Sequence, residues 1–78
     1  MPEYKVSLKA ARVNANMLQK DAANALGITP KTLANWENGK TAPRATTFAK
    51  ISRLYKVPID SIFLLQKFEL REQNNSVG

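Results

Sequence analysis

Residues 27–40 read GITPKTLANWENGK, and this stretch carries its own start and stop. Thr29 is a good N-cap, and Pro30 suits the first helical position, where no amide hydrogen is needed. Gly39 supplies the stop. The helix predicted between them, Pro30 to Asn38, is under three turns long. At about 100° per residue, Leu33, Trp36 and Glu37 cluster on one side, with Lys31, Ala34, Asn35 and Asn38 roughly opposite. The outer mix is odd for plain solubility, and an acid stands on the inner side.

Upstream, a helix is predicted from Gln19 to Leu26, with Ala22, Ala23 and Leu26 as its inner stripe and Gly27 as its stop. The two alanines allow close approach of a neighbouring helix. Two short helices joined by a tight turn around LGIT make a helix-turn-helix. Further upstream, Ser7 caps a first helix, SLKAARVNA, whose Leu8, Ala11, Arg12 and Ala15 share a face. Asn14 and Asn16 mark a turn, because Asn tolerates the left-handed conformation. Downstream of the loop KTAP, RATTFAKISRLYK forms a fourth helix with Phe48, Ile51, Leu54 and Tyr55 as its apolar stripe. Pro58 is expected to open a short fifth helix with Ile59, Ile62 and Phe63 facing in. Leu64 to Leu70 is apolar at both alternating and helical spacing, so helix and strand stay open there. The reading is all-α: a compact bundle of four to five short helices, with little or no sheet. Its parts are an N-terminal arm (1–6), the helix-turn-helix domain (7–65) and a C-terminal extension (66–78) ending in a frayed tail.

With 78 residues, one domain is expected. There is no cysteine and no histidine, which removes disulfides, thiolate metal sites, the usual zinc ligand and the usual neutral-pH base. No catalytic residues, metal or cofactor are expected. No apolar run approaches the roughly 20 residues of a membrane span, and MPEYKVSLKAARVN lacks a signal-peptide core. A cytoplasmic protein is expected. The net charge is +6 and the pI about 10.0, which favours anionic partners. Residues 31–56 hold six bases against Glu37 alone, a net +5. The rest of the chain holds six bases and five acids.

In a helix-turn-helix the second helix enters the major groove and its N-terminal residues reach base edges. Lys31 and Asn35 are four apart and project from one patch. Lysine donates to guanine O6 and N7, and asparagine pairs with adenine N6 and N7. Ala34 keeps the helix slim or touches a thymine methyl. Trp36, beside Leu33, is assigned to the core or its edge.

The chain resembles the Cro/C1-type (XRE-like) helix-turn-helix family of phage-repressor-like proteins, with a lambda repressor-like DNA-binding domain. The resemblance runs from Leu8 to Phe63. It rests on LKAAR, Gln19 opening helix 2, ANALGIT, TLANWENGKTAPR and ISRLYKVPIDSIF. It implies a DNA-binding set of Gln19, Lys20, Thr29, Pro30, Lys31, Thr32, Asn35, Lys40, Thr41 and Arg44. Within that set, Gln19 contacts a phosphate and braces the recognition helix. Lys31, Thr32 and Asn35 occupy the groove. Lys40, Thr41 and Arg44 clamp phosphates by charge and backbone amides. The resemblance also implies an interior ion pair between Arg12 and Glu37, consistent with their inner positions. Four departures stand out: Leu18 in place of a Ser or Thr cap, Ala22 for a larger aliphatic, and Asn16 and Lys56 at positions often held by glycine. Pro30 also stands where some members place a base-contacting polar side chain, and it offers DNA no hydrogen bond.

The function expected is a sequence-specific DNA-binding transcriptional regulator. More finely, it is a small phage- or prophage-type repressor acting as a homodimer on a two-fold operator of double-stranded DNA. No membrane or small-molecule partner is expected. The alternatives are the antitoxin of a toxin–antitoxin pair, or a protein-interaction module on the same fold. The Met1 start and soft tail suggest a complete chain, with an excised domain of something longer as the other reading.

Overall fold

A computed structural model describes residues 5–64. The order is a strand β1 (Val6–Ser7), helices α1 (Leu8–Asn14), α2 (Gln19–Leu26), α3 (Pro30–Asn38) and α4 (Ala45–Tyr55), a 3₁₀ turn (Ile59–Ser61) and a strand β2 (Ile62–Phe63). The domain is thus a bundle of four helices with one small parallel strand pair, Val6 opposite Ile62 and Ser7 opposite Phe63. The arm expected over residues 1–6 is joined to the domain at Val6 by this pairing.

The four helices begin in two ways and end in one. Ser7 caps α1 by accepting from the Ala10 amide at 3.0 Å, and Thr29 caps α3 by accepting from the Thr32 amide at 3.1 Å. Leu18 and Arg44, at the starts of α2 and α4, provide no side-chain cap. Every helix closes through one left-handed residue: Asn16, Gly27, Gly39 and Lys56, with φ of 61°, 75°, 82° and 60°. Behind each of these, the next amide reaches back a full turn: Met17 to Arg12, Ile28 to Ala23, Lys40 to Asn35 and Val57 to Ser52. That pattern satisfies carbonyls otherwise orphaned at a helix end. A Cβ at Gly27 would meet nothing within 4 Å, so the glycine is there for its backbone angle and not for space.

The core draws on all four helices and on β2. Leu8 and Ala11 come from α1, Ala22, Ala23 and Leu26 from α2, Leu33 and Trp36 from α3, Ile51 and Tyr55 from α4, and Ile62 from β2. Ala22 and Ala23 are fully covered, and α2 and α3 make the most extensive helix pair. Phe48 and Leu54 are half-buried against this core.

The fifth helix expected after Pro58 does not form. The chain makes a single 3₁₀ turn, closed by the Ser61 amide on the Pro58 carbonyl at 2.9 Å, and then turns extended at Ile62. Pairing with β1 satisfies the backbone of Ile62 and Phe63, and successive side chains of a strand point to opposite faces. Ile62 is therefore buried, while Phe63 is 41% and Ile59 43% exposed, instead of all three facing in. Residues 65–70, where helix and strand stayed open, lie outside the described residues, as do the tail and residues 1–4.

Candidate nucleic-acid interface

The turn between α2 and α3 spans only Gly27, Ile28 and Thr29. The left-handed Gly27 ends α2, Ile28 tucks against the core, and Thr29 caps α3. Pro30 follows at the helix start, as its missing amide hydrogen allows. The Thr29 and Thr32 hydroxyls lie 3.0 Å apart, so the first turn of α3 is held by side chains as well as backbone.

The two sides of α3 then separate cleanly. Leu33, Trp36 and Glu37 are buried. Lys31 and Asn38 are exposed, and Thr32, Ala34 and Asn35 are partly so. Trp36, at 9% exposure, is a core-edge residue and offers no stacking face to a base.

Glu37 is the centre of a buried network. Arg12 Nε donates to its Oε2 at 2.7 Å, and Arg12 Nη2 reaches Oε1 at 3.3 Å. Gln19 Nε2 also donates to Oε1, at 2.9 Å. Arg12 Nη1 donates to the Met17 carbonyl at 2.8 Å. One carboxylate thus ties α1, the first residue of α2 and the last full turn of α3, and Arg12 adds the loop into α2. The Arg12 and Glu37 side chains are 8% and 2% exposed, so this pair is interior, and its bidentate geometry offsets the cost of desolvation. The hydrogen bond to Glu37 raises the Arg12 pKa above its ordinary value, outweighing burial, which acts the other way. Tyr55 of α4 lies in the same field. Burial first, and then the charge of Glu37, push its phenol up to about 12, and its hydroxyl is buried without a hydrogen-bond partner.

The remaining candidates are distributed around α3. Gln19 is half-buried through its bond to Glu37, and Lys20 beside it is exposed. Lys40, Thr41 and Arg44 are exposed in the α3–α4 connection. Of the backbone amides expected to meet phosphate, those of Lys40 and Thr41 are engaged within the protein. The Lys40 amide is committed to the Asn35 carbonyl at 2.9 Å, and that of Thr41 points to the same oxygen at 3.4 Å. Their side chains stay free, and the amides that remain open are those of the first turn of α4, which Arg44 leaves uncapped.

Three contacts were not anticipated: the bond from Arg12 to the Met17 carbonyl, the placement of Tyr55 beside the ion pair, and the bond from Gln19 to Glu37. The first had a signal. A guanidinium has five N–H donors and one carboxylate cannot absorb them all. The second depends on how α4 docks, and no local pattern encodes it. Among the described residues, no group of His, Cys, Asp and Glu could hold a metal ion, and no helix is long and apolar enough to cross a membrane.

A helix-turn-helix family model matches residues 8–62. The chain is 39% identical over 69 residues to the HTH-type transcriptional regulator ImmR of Bacillus subtilis, covering 88% of this chain and 53% of that protein. It is 34% identical over 65 residues to an uncharacterized HTH-type transcriptional regulator of Methanocaldococcus jannaschii, covering 83% of this chain and 98% of that protein. It is 29% identical over 56 residues to the cryptic phage CTXphi transcriptional repressor RstR of Vibrio cholerae, covering 72% and 50%. The chain therefore spans about half the length of the Bacillus and Vibrio relatives. No solved structure matches.

Proposed function

This chain belongs to the helix-turn-helix family, and from that membership we propose that it is a sequence-specific DNA-binding transcriptional regulator whose α3 reads the major groove. The observation that carries the reading is the division of α3. Its buried side is fixed by Leu33, Trp36 and the Glu37 network, which leaves Lys31, Ala34 and Asn35 displayed on a helix that cannot roll. Lys31 donates to guanine and Asn35 pairs with adenine. Pro30 contributes van der Waals contact only, so hydrogen-bonded readout rests on Lys31, Thr32 and Asn35.

Phosphate contacts complete the surface. The two helices without a side-chain cap, α2 and α4, start beside Gln19 and Lys20 and beside Arg44. Open amides with a nearby cation are suited to phosphate oxygens. Lys40 and Thr41 add side-chain donors.

The finer reading is a phage-type repressor working as a homodimer on a two-fold operator, in the cytoplasm and without enzymatic activity. The names of the Bacillus and Vibrio relatives support regulation and repression. One short reading helix gives little specificity alone, and two-fold half-sites one helical turn apart supply the rest. The exposed Phe63 of β2 is an apolar contact for a second copy.

Selection of bound sites from random duplexes at fixed salt tests the proposal. A half-site repeated with two-fold symmetry is the expected result. Equal retention of all sequences would overturn it, and sedimentation of a monomer both free and on the selected site would overturn the dimer.

A further inference from the structure

The outer face of α4 carries charge that the DNA-binding surface does not use. Lys50, Arg53 and Lys56 are all exposed and follow one another at intervals of three residues. At 100° per residue Arg53 stands opposite the buried Ile51 and Tyr55, with Lys50 about 60° to one side, and Lys56 follows as the exposed left-handed residue that closes the helix. The neighbours on that face are small: Ala49 lies about 40° from Arg53, and the exposed Thr46, one turn before Lys50, lies about 20° from Arg53. The cations therefore form one ridge with no bulky residue inside it.

Among the described residues no acid pairs with that ridge. The sequence of α4, ATTFAKISRLY, contains no acid, and the one ion pair among the described residues is Arg12 with Glu37. The exposed acids among those residues are Asp21 and Asp60. Soluble surfaces usually intersperse both signs, and like charges three or four apart on a helix repel. The helix dipole accounts for a cation in the last turn, but not for Lys50 in mid-helix. The dipole favours a cation at Lys56 too, although the left-handed φ of 60° there suits glycine better than lysine. Local choices that run against the fold without benefit to it are expected at functional surfaces.

The ridge is also separate from the reading edge. α4 packs on α1, α2 and the 3₁₀ turn, not chiefly on α3. Its cations begin about 9 Å beyond Arg44 along the helix axis and end about 18 Å beyond it, at 1.5 Å per residue.

We propose that Lys50, Arg53 and Lys56 form a docking ridge for an acidic protein segment, one that binds while α3 remains on DNA. Charge complementarity selects the partner's chemistry. A row of carboxylates at helical or extended spacing meets the ridge, and the small residues between the cations let its backbone approach.

The test uses the full chain and a fluorescent peptide of alternating Glu and Gly, with a Gln–Gly peptide as control. Two triple variants remove the same amount of charge: Lys50→Ala, Arg53→Ala, Lys56→Ala on the ridge, and Lys31→Ala, Lys40→Ala, Arg44→Ala on the reading side. The ridge variant is expected to weaken Glu–Gly binding roughly tenfold while the reading-side variant changes it about twofold or less. Adding duplex DNA is expected to leave the peptide bound, with amide shifts on binding confined to residues 46–56. All substituted residues are exposed, so unchanged helical circular dichroism is expected of both variants. Equal losses in the two variants would reduce the effect to net charge and overturn the proposal. No binding by the unmodified chain, or displacement of the peptide by DNA, would overturn it as well. Failure of α3 to select any DNA sequence would refute the regulator reading and leave the peptide result standing.

Discussion

Replacing Arg12 by methionine isolates the network that mounts α3. The thioether keeps most of the buried stem and removes three donors: two to Glu37 and one to the Met17 carbonyl. What remains is a carboxylate 2% exposed, with Gln19 as its single side-chain donor. Leaving one member of a buried pair without the other costs about 3–5 kcal/mol. A chain of this length has roughly 4–12 kcal/mol of total stability, so the variant stands close to unfolding. Urea titration followed by the fluorescence of Trp36, the chain's sole tryptophan, measures the loss. With a slope of about 1 kcal/mol per molar, the midpoint falls by about 3 M or more. The decisive comparison is the double variant Arg12→Met, Glu37→Met. Removing both charges removes the desolvation cost as well, and apolar replacement of a buried pair is often neutral or stabilising. The double variant is expected within about 1 kcal/mol of the parent, a coupling energy of about 3 kcal/mol or more. A double variant as unstable as the sum of the two singles would refute the reasoning, because the residues would then act independently.

Four further outcomes follow from other parts of the structure. The folded chain holds the Tyr55 proton to about pH 12, while an ordinary phenol loses it near 10. Its stabilising effect is therefore complete below pH 10 and lost as pH rises towards 12, by roughly 2 kcal/mol; the difference between parent and Tyr55→Phe in thermal melts across that window measures it. Lys56→Gly relieves the left-handed strain at the end of α4 and should raise stability by about 0.5–1 kcal/mol, read as a higher melting temperature. Asn35→Ala should cost about 1–3 kcal/mol of binding at a single base position and relax preference there, as seen in site selection. Arg44→Ala should weaken all duplexes alike and reduce the slope of log affinity against log salt by about one.

Much of this architecture is legible in the sequence because its punctuation is local. Thr29, Pro30, Gly27 and Gly39 act within their own turns, and the spacing of Leu33, Trp36 and Glu37 assigns the inner side of α3 without tertiary information. The Arg12–Glu37 pair comes from the family resemblance, and the inner positions of both residues are consistent with it. The resemblance has Gln19 brace the recognition helix, but it does not name Glu37 as the residue Gln19 bonds. The segment after Pro58 was misjudged because its outcome is set by residues far away in sequence. Ile59 to Phe63 has helical spacing, yet Val6 offers a strand edge, and pairing with it wins. The amides of Lys40 and Thr41 illustrate a subtler limit. A glycine stop announces that a helix ends, but not which donors its closing carbonyls consume.

The separation of roles within α3 also bears on how such a domain diverges. Lys31, Ala34 and Asn35 take no side-chain part in the hydrogen bonds that hold the helix in place, whereas Glu37 and Thr29 do. Exchanges at the displayed positions therefore leave the anchoring intact, and drift there is nearly neutral for folding. If α3 reads bases as proposed, a lineage built on this frame can change its base preferences one residue at a time, without compensating substitutions in the interior. Thr32 is the exception: its hydroxyl is shared with Thr29, so change at that position is coupled to the start of the helix.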